Sequence, residues 1–198
     1  VSFNPGETTD GSQEWTSSTG EVWTVAKSGG LPATIVGRSS IMTDGSNDYM
    51  KTAPFALNQP PTVMLIGDAL TWTSGDYLFD GNASNSGALI QTTTAPQVNA
   101  NAGSSAAANT DFALNVPKTV FVEFSGATSS IQVGSAAATT GDAGAGNMGG
   151  FTLASAGTAG SYGNELVNGI AIFNRSLSAA ERQRIRNFNA RGYGISAT

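Results

Sequence analysis

The chain has 198 residues, a formal net charge of −5 and neither Cys nor His; 39% of it is hydrophobic and only 12% is charged. Disulfide and thiolate chemistry are therefore excluded, together with the commonest metal ligand and the commonest neutral-pH proton carrier. The acidic balance, with a pI near 4.5, argues against nucleic acid as a partner, because a phosphate backbone must be met by a basic surface.

The length suits a single domain over residues 1–198, with a core large enough to stand without cross-links. No apolar run approaches the ~18 residues that would span a bilayer, so membrane insertion is not expected. The opening VSFNPGETTD carries neither a basic nor an apolar leader segment, and the chain begins at Val1, as a processed or excised piece would.

From residue 21 onward, short apolar or alternating runs are separated by turn residues. They are EVWTVAK (21–27), LPATIVG (31–37), DYMKTA (48–53), TVMLIGDAL (62–70) and YLFDG (77–81), then GALIQTTT (87–94), TVFVEFSG (119–126), SSIQVGS (129–135), GFTLAS (150–155) and NGIAIFN (168–174). Their spacing is that of a sandwich or barrel. With no helices between them to carry parallel crossovers, the strands are expected to pair antiparallel. Residues 63–66, VMLI, are apolar on both faces and predict a central strand; Val120, Val122 and Phe124 alternate with Phe121 and Glu123, which predicts a strand with one partly wet face. The segment 125–128 predicts a hairpin turn into SSIQVGS. Two stretches poor in side chains, AGSSAAANT (102–110) and SAAATTGDAGAGNMGG (135–150), read as long loops or irregular edges.

Near the carboxyl end, NRSLSAAERQRIRNFNARG (174–192) holds Arg175, Arg182, Arg184, Arg186 and Arg191, five of the nine basic residues. Ser178 followed by Glu181 is a capping-box pattern that starts a helix, and Gly192 is the expected stop. A helical wheel puts Ile185 and Phe188 on one narrow apolar arc flanked by arginines, which predicts a helix docked on an apolar surface. Its guanidinium groups would meet acids of the chain or solvent, with an anion site as the alternative.

GIAIFNRSLSAAE (169–181) resembles the closing motif of laminin G-like, concanavalin A-like jelly-roll domains, in which a last strand runs through N-R-x-L-S-x-x-E into a short helix. TDGSNDYM (43–50) is similar to that family's F-D-G-x-D-D-Y signature, and KTVFVEFSGATSSIQVGS (118–135) to its middle hairpin, without the Trp that usually precedes it. The resemblance spans roughly residues 40–192. It implies an all-β, concanavalin A-like jelly-roll sandwich of two antiparallel sheets with one short C-terminal α-helix. Lectins, enzymes, adhesion modules and viral surface proteins share this fold, which also occurs in bacteriophage tail and capsid appendages.

Glycan-cleaving enzymes on the fold commonly carry E-x-D-x-E on one strand, and no such triplet is present. Asp76 and Asp80 in DYLFD are the nearest pair, but Leu78 fills the middle position and Asp80 begins a turn. Calcium is the one cofactor the sequence suggests, since Asp44 and Asp48 lie in an oxygen-rich run, DGSNDY. The preferred reading of that run is an Asp-Gly turn whose side chains satisfy local amides. For a sugar, an aromatic platform beside carboxamides is needed; Trp72, Asp76, Tyr77, Asn82 and Asn85 form the candidate ligand set, with Trp15, Trp23 and Tyr162 as further rings.

The expected function is a non-catalytic recognition module at an extracellular or virion surface, binding carbohydrate for attachment. A structural or decoration protein of a phage capsid or tail, or another assembly, is the alternative, with a glycan-cleaving enzyme third. Partners would be a glycan surface or other assembly subunits, including further copies of the chain as a homo-oligomer.

Overall fold

The computed structural model describes the strand backbone at 6–7, 13–16 and 22–26 and then residues 40–195. The elements are β1 (Gly6–Glu7), β2 (Gln13–Thr16), β3 (Val22–Ala26), β4 (Ile41–Met42), β5 (Tyr49–Thr52), β6 (Thr62–Ala69), β7 (Tyr77–Asp80), β8 (Ala88–Gln91), β9 (Val98–Asn101), β10 (Ser105–Asn109), β11 (Lys118–Glu123), β12 (Ser129–Val133), β13 (Thr139–Gly141), β14 (Thr152–Leu153), β15 (Glu165–Phe173) and α1 (Ala179–Tyr193). They form a nine-stranded sheet, β1-β2-β3-β5-β14-β7-β8-β9-β10, and a six-stranded sheet, β13-β12-β11-β6-β15-β4. Every ladder between these strands is antiparallel.

The core fills the space between the sheets. Val63 and Leu65 of β6, Val120 and Val122 of β11 and Ile131 and Val133 of β12 meet Met50, Phe79, Leu89, Val98, Ala100 and Leu153 of the other layer. Phe79 crosses between layers: it stacks on Phe151 at 5.4 Å and meets Phe124 edge-on at 6.4 Å. Each fully buried ring of this kind contributes about 1.5–3 kcal/mol. As its two apolar faces predict, β6 is central, lying between β11 and β15, and is buried along its whole length. The hairpin joining β11 to β12 turns through a single 3-10 turn at Gly126–Thr128.

Both side-chain-poor stretches contain sheet edges. β10 ends the nine-stranded sheet, with a register slip between Ser105 and Ala108, and β13 ends the six-stranded one. Asn109 donates across to Thr139 Oγ1 at 3.0 Å, tying these edges together. Runs of Ala, Ser and Thr carry little hydrophobic alternation, so their strands are set by pairing with β9 and β12 rather than by their own residues. The expected run at 31–37 lies outside the described residues.

The helix seals the outer face of the six-stranded sheet, over a second apolar cluster of Met64, Ile66, Phe121, Leu177 and Ile195. Ser178 and Glu181 form the capping box in full. Two expectations for this region are corrected. The stop is Gly194, left-handed at φ 68, rather than Gly192, which lies inside the helix. Phe188 does not dock: it is 71% exposed, while Arg182, Arg186 and Asn189 face the sheet and Ile185 packs at the margin of the cluster. Glu123 stands on the outer face as the alternation predicts, but the helix covers most of it and leaves its side chain 15% exposed.

For two of these three buried polar side chains the sheet supplies partners. Arg182 Nη2 donates to Glu123 Oε2 at 2.6 Å, with the two side chains 8% and 15% exposed, and its guanidinium sits 5.8 Å from the Phe121 ring centroid. Asn189 donates to Thr119 Oγ1 at 3.3 Å. Arg186 donates from Nη2 to Gln183 at 2.6 Å, leaving Nε and Nη1 buried without partners. Burial, with the charge of Arg182, lowers its pKa.

Candidate functional site on the outer face of the nine-stranded sheet

Side chains alternate across a strand, so Met50, Leu153 and Phe79, which enter the core, send their neighbours to the opposite face. Lys51 of β5, Thr152 of β14 and Asp80 of β7 stand there in register. Two loops, 81–87 and 154–164, are held over this row. Asp80 is fully buried and accepts four backbone amides: Gly81 and Ser86 on Oδ1, at 2.7 and 3.1 Å, and Asn85 and Gly157 on Oδ2, at 2.8 and 3.0 Å. Burial raises its pKa while these amides pull it back down. A carboxylate committed to four amides is a fastening for the loops rather than a free acid.

Lys51 reinforces the fastening by donating from Nζ to the carbonyls of Asn82 and Gly157, and Thr152 donates to the carbonyl of Gly81 at 2.8 Å. The loops touch closely at Gly157. A Cβ there would lie 2.5 Å from the backbone carbon of Ala83 and 2.7 Å from the carbonyl oxygen of Gly81. Farther out, the Ser84 and Thr158 hydroxyls meet at 2.5 Å.

Three tyrosines surround this arrangement. Tyr77 donates its hydroxyl to Asn85 Oδ1 at 2.8 Å, and its pKa is raised by burial and by the Asp80 charge. The backbone of Tyr77 bridges that of Tyr162, and the Tyr162 ring lies 6.0 Å from that of Tyr49 at an angle of 38°. All three tyrosines are half-buried.

The loops hold strained backbone. Of the five described non-glycine residues at positive φ, four lie in them: Asn85 at 58°, Ala154 at 57°, Ala159 at 62° and Ser161 at 51°. Asn adopts this region with help from its side chain; alanine has no such help, and the left-handed conformation costs it about 1–2 kcal/mol. Such outliers persist only where surrounding bonds over-determine them, and they gather at functional sites.

Of the sequence-derived ligand set, Tyr77 and Asn85 are brought together by their hydrogen bond, while Asn82 joins the row through its backbone carbonyl, which accepts from Lys51. Trp72 stands apart. Its Nε1 donates to the carbonyl of Thr92 at 2.8 Å and its ring packs 6.3 Å from Phe112, against the core. Asp76 belongs to the same turn, with a pKa raised by burial and lowered in part by a hydrogen bond with Thr73. Tyr49, Lys51 and Thr158 were not in that set; the alternation of Tyr49 and Lys51 with the apolar Met50 is the signal that could have found two of them. The side chains of Trp15 and Trp23 lie outside the described residues.

Asp44 accepts the amides of Ser46 and Asn47 at 2.7 and 3.3 Å, the turn chemistry preferred from sequence, and Asp48 directly precedes β5. Among the described residues, no group of three or more His, Cys, Asp or Glu is placed to hold a metal ion.

A two-layer antiparallel sandwich closed by one terminal helix is a jelly roll of the concanavalin A-like type. No known family and no characterised sequence matches the chain. Among solved structures it is similar to Trypanosoma rangeli sialidase. The complex with 2,3-difluoro-KDN aligns over 89% of this chain and 31% of the sialidase, at 14% identity and a TM-score of 0.66. The complex with sialic acid aligns over 96% and 34%, at 15% identity and 0.63. The chain spans about a third of the sialidase's length, and at this identity the likeness shows the shared fold alone.

Proposed function

We propose that this chain is a non-catalytic recognition module that binds carbohydrate on the outer face of its nine-stranded sheet and attaches its parent protein or particle to a glycan surface. The observation that carries this reading is a group of half-buried tyrosines, Tyr49 packed on Tyr162 and Tyr77 bonded to Asn85, beside strained loops that a single buried carboxylate fastens. Ring faces take the apolar side of a pyranose, and carboxamides and hydroxyls take its rim. The fold, shared with a sialidase solved with sialic acid, is compatible with a sugar as ligand. Binding rather than cleavage is favoured because Asp80, the acid on this face, is already spent on backbone amides and the chain has no His.

The module would work outside the cell or on a virion surface, with weak single contacts strengthened by several copies. A glycan array probed with the full chain, with and without calcium, tests it. Wild type should bind and Tyr49→Ala should not. Calcium should change the signal only if Asp44 and Asp48 hold the ion. An array silent under both conditions would sink the sugar reading and favour the second one, a structural module of an assembly. That alternative draws on Phe188, a large ring left 71% exposed on α1, as a subunit contact would require.

A further inference from the structure

We propose that a groove at the carboxyl end of α1 binds an acidic sugar residue, a pyranose bearing a carboxylate, separately from the tyrosine face. The groove, about 430 Å³, is lined by Ser40, Asn168, Arg191, Gly192, Tyr193 and Gly194. Local structure explains its shape. The left-handed cap at Gly194 turns the chain out of the helix and leaves Tyr193 41% exposed. The Tyr193 hydroxyl lies 3.3 Å from the position a Cβ on Gly169 would take, so the ring rests across a residue without a side chain. β15 is irregular between Val167 and Gly169, and Asn168, the extra residue there, donates from Nδ2 to Ser40 Oγ at 2.7 Å. That bond occupies an acceptor of Ser40 and leaves its hydroxyl proton able to donate.

Arg191 supplies the selectivity. Arg175 and Arg182 are each paired with a carboxylate, whereas Arg191 makes no ion pair among the described residues and uses only Nε, on the carbonyl of Asn187 at 3.3 Å. Its two Nη atoms are free to take both oxygens of a carboxylate. A neutral sugar would leave this cation unused, and a bare anion would leave the Tyr193 ring unused; a sugar acid employs both. The negative end of the helix dipole opposes an anion here by about 0.3–1 kcal/mol, so the carboxylate has to meet the outer edge of the guanidinium, away from the helix axis.

The test is an amide-resolved NMR titration of the full chain with sodium glucuronate, glucose and sodium acetate in turn, at matched ionic strength. Glucuronate should shift the Asn168, Gly192 and Gly194 amides and saturate at least about tenfold below glucose, as expected of a charge-assisted bidentate contact. Arg191→Gln should bring glucuronate down to the glucose level, and Tyr193→Ser should weaken both sugars. Arg184→Gln, which removes the same charge from the helix outside the groove, should change neither. Equal responses to glucuronate and glucose, a response to acetate matching glucuronate, or an equal loss in Arg184→Gln would each overturn the proposal. Tyr49→Ala should leave this titration intact, so failure of the groove and failure of the tyrosine face are read separately.

Discussion

The sandwich has two outer faces, and they are closed by opposite means. Over the six-stranded sheet lies α1, a regular helix fastened by an ion pair between Arg182 and Glu123 and by Leu177 and Ile195 packing on Met64, Ile66 and Phe121. Over the nine-stranded sheet lie two irregular loops, fastened by backbone amides converging on Asp80 and carrying four left-handed non-glycine residues. The first arrangement spends side chains on side chains and leaves its sheet face unavailable. The second holds its loops largely by their backbone and leaves the tyrosines half-buried rather than sealed. The contrast gives the helix face a stabilising part and makes the loop face the better place for the recognition proposed above.

The largest expected effect breaks the helix face. Glu123→Ala should destabilise the fold by about 3–5 kcal/mol, because it strands the buried Arg182 charge, whereas Arg175→Ala, which removes the exposed pair with Glu181, should cost under about 1 kcal/mol; urea unfolding of both variants compares them. Near-equal losses would mean that the Arg182 pair is no better than a surface contact.

On the loop face, Asp80→Ala leaves four amides without their acceptor. It should cost about 3 kcal/mol and abolish glycan binding even below its melting temperature. A variant that melts early yet binds at full strength in the cold would separate the carboxylate from the site.

A pH series sharpens the contrast from a third position. Asp68 and Glu165, on adjacent strands of the six-stranded sheet, are 4% and 1% exposed, and each has an oxygen without a partner. Burial raises both pKa values, that of Glu165 well above 4.5 with the charge of Asp68 adding to the rise. The folded chain therefore keeps protons that the unfolded chain releases, so stability should fall as pH climbs from about 4 through the raised values. Glu165→Gln should flatten this slope and be the more stable protein at pH about 8. A melting temperature that rises with pH over that interval would contradict the assignment.

The smallest effect is on the strained loop. Ala159→Gly should gain about 1 kcal/mol by relieving the left-handed backbone, read as a rise in melting temperature, while weakening the glycan contact through a looser loop.

Much of the fold was legible because it is written in local patterns: the doubly apolar β6, the turn at 125–128, and Ser178 with Glu181 three residues on. Edges built from Ala, Ser and Thr were not, since they leave no alternation to read. The helix face was legible in part: a docked helix whose arginines meet acids of the chain was expected, and Arg182 meets Glu123. The wheel put Phe188 rather than Arg182 and Arg186 against the sheet, because nothing near Arg182 in sequence announces its partner on β11. The loop site was half legible: Tyr77, Asn82 and Asn85 are neighbours in sequence, but the packing of Tyr162 on Tyr49 joins β5 to a loop far along the chain, and only the folded chain reveals it.

Glycan affinity measured side by side for Tyr162→Ala and Phe188→Ala tests the division of labour most directly. The account predicts that Tyr162→Ala loses binding with its melting temperature nearly unchanged, and that Phe188→Ala binds like wild type. Loss of binding in Phe188→Ala with full retention in Tyr162→Ala would contradict it.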